Sequence, residues 1–277
     1  MPHIRALVPR LAAFACLAFA GAAPAAPPAT AAPDAALAAA VANPAREPRF
    51  AARDGARHPV EELTFFGLKP TMAVVELWPG GGYWTEILGP YLAKQGRYFV
   101  ALPSPGNAEE DASVARWRSR VAAQQGRLGD IIETTLGPGH FEIAPAGSAD
   151  LVLTFRNIHN WMEAGYVEDV LAACYKALKP GGILGVEGHR GRTDQPQDPK
   201  AASGYVREDY AIGLAKKAGF EFVASSEIDA NPKDTKDWVD GVWTLPPTLS
   251  QGEKDRARYV AIGEADNFVL KFRKPAR

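Results

Sequence analysis

Residues 73–82 read Ala73-Val74-Val75-Glu76-Leu77-Trp78-Pro79-Gly80-Gly81-Gly82, a short apolar run with one acid near its end, closed by a proline and three glycines. Bounded by Pro70 on one side and by the glycines on the other, the run has the pattern of a buried strand in a parallel sheet. Tyr83 to Lys94 follow as a helix, bent at Gly89-Pro90, so the glycines form a strand-to-helix turn. Glycine there admits positive φ and lets backbone approach a ligand closely. The N-terminus of the next helix points its free N–H groups at the same spot. Glu76, at the end of the strand, can accept hydrogen bonds from ligand hydroxyl or amino groups. Many α/β folds use such a turn for packing alone; its place after the first strand favours the ligand reading.

Outward from this turn, strands and helices alternate. Strands are expected at Arg97–Leu102, Ile131–Thr135, Leu151–Phe155, Ile183–Glu187 and Phe220–Ser226, with helices at 109–125, 164–178 and 208–218. The helix ending at Leu178 stops in Lys179-Pro180-Gly181-Gly182, where glycine supplies the left-handed cap. A last strand, Asn267–Phe272, follows a long connection with no clear crossover helix, which fits an antiparallel end to the sheet. The pattern predicts an α/β fold: a doubly wound, Rossmann-like sheet, mostly parallel, with an antiparallel last strand.

Polar residues crowd the ends of two strands. Arg156-Asn157-Ile158-His159-Asn160-Trp161 follow the run Leu151–Phe155, and Glu187-Gly188-His189-Arg190 end the next strand. Side chains at the carboxyl ends of parallel strands face the ligand crevice. His159 is the first choice for a general base and His189 the second. Asn160, Trp161, Glu187 and Arg190 are candidates for substrate contact. The competing reading has Asn157 and Asn160 capping the next helix, with His159 packing its entrance. Two histidines and a carboxylate also suit a metal, but nothing in the spacing is metal-specific and no metal is assigned.

Taken together, the strand, acid and glycine turn resemble motif I of class I S-adenosylmethionine-dependent methyltransferases. The stretches SADLVLTFRNIHNWM (148–162) and ALKPGGILGVEGH (177–189) resemble that fold's fourth strand and the turn before its fifth. More narrowly, 57–88, GYVREDYAIGLAKKAGF (204–220) and GVWTLPP (241–247) look like a bacterial family of exported, predicted methyltransferases, over roughly residues 50 to 275. The resemblance implies a seven-stranded sheet and S-adenosyl-L-methionine as cofactor across the strand ends. Glu76, Gly80, Gly81, Gly82, Tyr83 and Asn157 then contact the cofactor, and an unidentified small molecule accepts the methyl. The alternative is a periplasmic ligand-binding protein built on the same fold without turnover. Two positions depart from the motif. Trp78 stands where its first glycine is usual, and the second strand ends in Ala101-Leu102-Pro103-Ser104, without the acid that many relatives offer to the ribose. Such a charge-assisted hydrogen bond contributes about 1.5–3 kcal/mol.

Composition narrows the setting. With 31 basic and 32 acidic side chains among 277 residues, no basic excess suggests a nucleic-acid partner. Arg5 and Arg10, the apolar run Leu11–Ala20 and the small residues 21–25 read as a signal peptide. The expected location is therefore periplasmic or secreted, with no membrane insertion of the mature chain. Removing residues 1–25 takes away two arginines and no acids, moving the net charge from -1 to about -3. Residues 26–49 are Ala/Pro-rich and read as a tether, residues 50–277 as the folded unit, and 229–266 as a lid-like connection.

Overall fold

The structure, a computed structural model, describes residues 34–276, so the segment read as a signal peptide lies outside the described residues. Seven strands form one sheet: β1 (Ala73–Leu77), β2 (Arg97–Pro103), β3 (Ile131–Leu136), β4 (Ala149–Phe155), β5 (Leu178–His189), β6 (Glu221–Ser226) and β7 (Asn267–Arg273). Their order is β3-β2-β1-β4-β5-β7-β6. The first five run parallel, while β7 lies antiparallel to both β5 and β6. The expected reversed strand is thus β7, inserted between its neighbours in sequence.

Alternation along the central strands covers both faces. Val75 and Val152 belong to the core on one side of the sheet, Val74, Leu151 and Leu153 to the core on the other. Strand order reverses between β1 and β4, and the crevice outside their carboxyl ends is where such sheets bind ligands. At the start of β5, register slips between the Ala149 and Leu151 pairings, and Gly181 adopts φ 79° in the expected left-handed position.

The tether expectation fails over residues 34–49. Ala35–Val41 is a helix, as its alanine content favours, capped by Asp34, whose Oδ1 accepts from Ala36 N at 2.8 Å. Leu37 and Ala40 are buried in the core shared with the helix Thr85–Leu92. Tyr91 Oη donates to Asp34 Oδ2 at 2.7 Å, and buried Arg46 holds both oxygens of Asp54 at 2.7 and 2.9 Å. This packing carries Phe50, Arg53 and Arg57 to the strand ends.

The connection 229–266 is likewise built. Asp234 accepts from Tyr205 Oη at 2.9 Å, Trp238 Nε1 at 2.7 Å and Asp266 N at 2.9 Å. Around it Tyr205, Val242, Leu245 and Tyr259 form a small core of their own.

Candidate active site

The site begins at the turn after β1. Trp78 adopts φ 47°, the left-handed conformation that a glycine at this place would take freely and that costs an L-residue about 1–2 kcal/mol. Its neighbours hold it there. Trp78 N donates to Ala101 O at 2.9 Å, its Nε1 to Leu136 O at 3.1 Å, and its ring stands edge-on to Trp161 with centroids 5.8 Å apart. Asn157, at the end of β4, donates Nδ2 to Leu77 O at 3.1 Å and to Trp78 O at 3.2 Å. Its amide thus fixes the turn and leaves only Oδ1 for a ligand.

Gly80 has φ 55°, and a Cβ built on it meets nothing within 4 Å. Gly82, at φ 92°, is different: a Cβ there would lie 3.3 Å from Trp117 Cδ1. Gly80 and Gly81 line the crevice, whereas Gly82, expected beside the cofactor, lines neither cavity and makes room for Trp117.

Two cavities open from this turn and share Trp78, Pro79, Gly80, Asn157 and Asn160 as a common wall. The first, of about 490 Å³, reaches the end of β2 at Leu102 and Pro103 and the helix Ala108–Ala123. Asn107 caps that helix, its Oδ1 accepting from Glu109 N at 3.0 Å and Glu110 N at 3.2 Å. Both glutamates line the cavity. Burial, then the charges of Asp111 and Glu109, hold the Glu110 carboxyl above its usual range. The carboxylates at this end of the cavity thus come from the helix after β2 and not from β2 itself.

The second cavity, of about 440 Å³, contains both histidines. His159 lies in the helix Ile158–Ala164, and its ring centroid is 5.4 Å from that of His189 and 5.8 Å from that of Trp243. Burial, then the Arg156 charge, pushes the His159 imidazole down to about 4. Burial, then His159 and Arg156, holds His189 well below its usual range, although its Nδ1 donates to Asn267 Oδ1 at 2.8 Å. Both rings are therefore neutral at pH 7 and weakly basic, which counts against the general-base expectation for either.

Glu76 also lines this cavity, buried to 1% exposure. Tyr98 Oη and Thr85 Oγ1 donate to its Oε2, leaving Oε1 buried without a partner among the described residues. Burial raises its carboxyl to about 7 against the pull of those two donors. Tyr83 contributes a wall; its Oη donates to Asp54 Oδ1 at 2.6 Å and the Arg57 guanidinium sits 4.4 Å from its ring centroid.

Three sequence candidates lie elsewhere. Trp161 is 1% exposed and belongs to the core, where it backs Trp78. Glu187 is 0% exposed and stands behind Arg156, with Oε1 3.6 Å from Nη1. Arg190 is consumed by Glu227 at 2.8 Å, Glu208 at 3.5 Å and Asp266 at 3.6 Å, outside both cavities. Asn160, by contrast, faces both.

One side of the second cavity is charged. Arg53, Arg57, Arg156 and Glu264 line the second cavity. Arg53 grips Glu264 through Nε at 2.6 Å and Nη2 at 2.7 Å, while Arg57 Nε and Arg156 Nη1 reach Glu264 Oε2 at 3.4 and 3.3 Å. Burial disfavours the charge of Arg156, but Glu187 and Glu264 overcome it and hold its pKa up. Arg57 falls to about 9 through burial and the charge of Arg156. Arg156 stands in the polar cluster read from the sequence after Leu151–Phe155, whereas nothing in the sequence around Arg53 or Glu264 marks either as a site residue. No group of three or more His, Cys, Asp or Glu among the described residues is arranged to hold a metal ion.

No family model and no curated protein matches this chain. Solved structures do. A SAM-dependent methyltransferase from Aquifex aeolicus superposes with TM-score 0.54 at 16% identity, covering 82% of this chain and 94% of that one. The [4+2]-cyclase SpnF gives 0.52 at 13%, covering 78% of each chain. A Galdieria sulphuraria protein with a provisional sarcosine dimethylglycine methyltransferase assignment gives 0.52 at 14%, covering 83% and 88%. At these identities the likeness establishes the fold: the chain has the seven-stranded, Rossmann-like architecture of the class I S-adenosylmethionine-dependent methyltransferases.

Proposed function

We propose that the protein binds S-adenosyl-L-methionine across the wall between the two cavities and directs its methyl to a small molecule in the second. The observation that carries this reading is the meeting of both cavities at the glycine turn, at the point where strand order reverses. The residues fit the cofactor. Gly80 leaves open space over the turn, Glu110 and Glu109 offer carboxylates to ribose hydroxyls, and Glu76 Oε1 is an unpaired acceptor for an amino group.

When bound, the cofactor supplies an electrophilic methyl on a sulfonium. The chain's own contribution is alignment of nucleophile and methyl between fixed aromatic walls. Trp84 and Phe155 stack 4.0 Å apart as one wall, and Trp243, from the connection 229–266, adds another. His159 Nδ1 is buried without a partner among the described residues. As a base of pKa about 4 it is poorly matched to neutral pH. Its role in this reading is to accept a hydrogen bond that orients the nucleophile.

Thermal unfolding tests the cofactor assignment. Saturation at 100 times Kd stabilises a protein by about 2.7 kcal/mol, so S-adenosylhomocysteine should raise the midpoint by several degrees; no shift at millimolar ligand would contradict it. The weak basicity of both histidines favours a second reading, ligand binding without turnover. Transfer of labelled methyl to any acceptor would exclude it. The signal-peptide reading of residues 1–25 supports a periplasmic or secreted location, with a mature amino terminus near Ala26.

A further inference from the structure

We propose that the second cavity takes an acceptor carrying a carboxylate on an apolar body, and that Arg57 is its anion receptor. The proposal rests on the methyltransferase reading only in calling that ligand the methyl acceptor. Arg57 is 5% exposed, yet its single hydrogen bond among the described residues is the long one from Nε to Glu264 at 3.4 Å. Its Nη1 and Nη2 donate to nothing there, although the residue lines the cavity. A buried cation so poorly paired is costly unless something else supplies the counter-charge.

The protein's own acids are already engaged. Glu264 is shared by three guanidiniums, and Arg53 holds both its oxygens. Glu187, Glu62 and Asp229 lie behind Arg156, and burial raises all three above the usual carboxylate range, so they neutralise less than their number suggests. Arg57, depressed by burial and by Arg156, is the guanidinium these acids leave over. One free planar fork matches one carboxylate, two parallel N–H···O bonds to its two oxygens. Beside the arginines, Glu264, Glu76 and the asparagines, the lining carries the aromatic rings of Phe50, Trp84, Phe155 and Trp243, and the two neutral histidines. Those surfaces suit the apolar body of the ligand.

Calorimetry at pH 7 on the wild-type chain, with and without S-adenosylhomocysteine, tests this with benzoate and phenylacetate against benzamide and phenylacetamide. We expect each acid to bind about tenfold or more tightly than its amide, a preference lost in Arg57→Met, weakened in Arg57→Lys, and accompanied by unchanged S-adenosylhomocysteine binding. Acids and amides that bind alike, or acids that do not bind, overturn the proposal. So does a variant that loses S-adenosylhomocysteine and keeps the acids, since Arg57 then serves the cofactor's own carboxylate. Failure of wild type to bind S-adenosylhomocysteine refutes the methyltransferase reading instead, and the acid–amide comparison still decides the role of Arg57. The wild-type comparison needs no variant to fold.

Discussion

Asn157 donates its side-chain amide to the Trp78 carbonyl at 3.2 Å, and to that of Leu77 at 3.1 Å, tying the end of β4 to the turn after β1. This link closes the wall common to both cavities. It also explains how a tryptophan is kept at φ 47°: the turn is fixed from outside by Asn157, Leu136 and Ala101.

Asn157→Ala leaves two carbonyls without that donor. An unsatisfied buried polar group costs about 1–3 kcal/mol, so the variant should melt several degrees lower. Because the turn loses its fixed shape, affinity for S-adenosylhomocysteine should fall as well. A lowered midpoint with unchanged affinity would show that the tie serves stability alone.

Gly80 and Gly82 should separate cleanly. Gly80→Val places its side chain in open space over the turn, so it should abolish ligand binding at a modest cost from positive φ, about 1–2 kcal/mol. Gly82→Ala presses on Trp117 instead, 3.3 Å away, and should lower the midpoint while leaving affinity closer to wild type. Calorimetry and thermal unfolding on both variants read the two effects; the reverse pattern would mean the cavity has been placed on the wrong glycine.

Titration of His159 sets a pH signature. Its folded value of about 4 lies below the ordinary 6.5, so between those limits the unfolded chain binds the proton that the folded chain refuses. Wild type therefore loses stability through this group as pH falls from 6.5 to 4, by about 3 kcal/mol at most. His159→Gln removes that loss. The difference in midpoint between variant and wild type should move in the variant's favour on acidification, and a difference constant with pH would contradict the burial assigned to this ring. Turnover, where an acceptor is in hand, should fall by less than the roughly 10²–10⁴-fold expected on removing a general base.

Much of this architecture was legible in the sequence, because period and punctuation carry it. β1 is bounded as the Ala73–Leu77 run is, and β7 was marked by the lack of a crossover helix before Asn267. Glycine spacing located the turn but could not say which glycine faces the ligand; that depends on Trp117, a distant residue in another helix. The alanine-rich stretch 34–49 misled for a related reason. Its composition resembles a linker, and only the docking of Leu37 and the Arg46–Asp54 pair turns it into structure. Glu187 and Arg190 sit at the strand end as expected, but their partners decide their roles, and those partners, Arg156, Glu227 and Asp266, come from separate segments. Arg57 and Glu264, 207 residues apart, meet only in the fold.

Cofactor binding at the glycine turn is tested by calorimetric titration of S-adenosylhomocysteine into the protein, wild type beside Glu110→Gln. Saturable binding of one ligand per chain is expected, weakened about tenfold or more when the Glu110 carboxylate that faces the first cavity is neutralised. Absence of binding heat at millimolar ligand, or binding indifferent to Glu110 and to Gly80→Val alike, would contradict it.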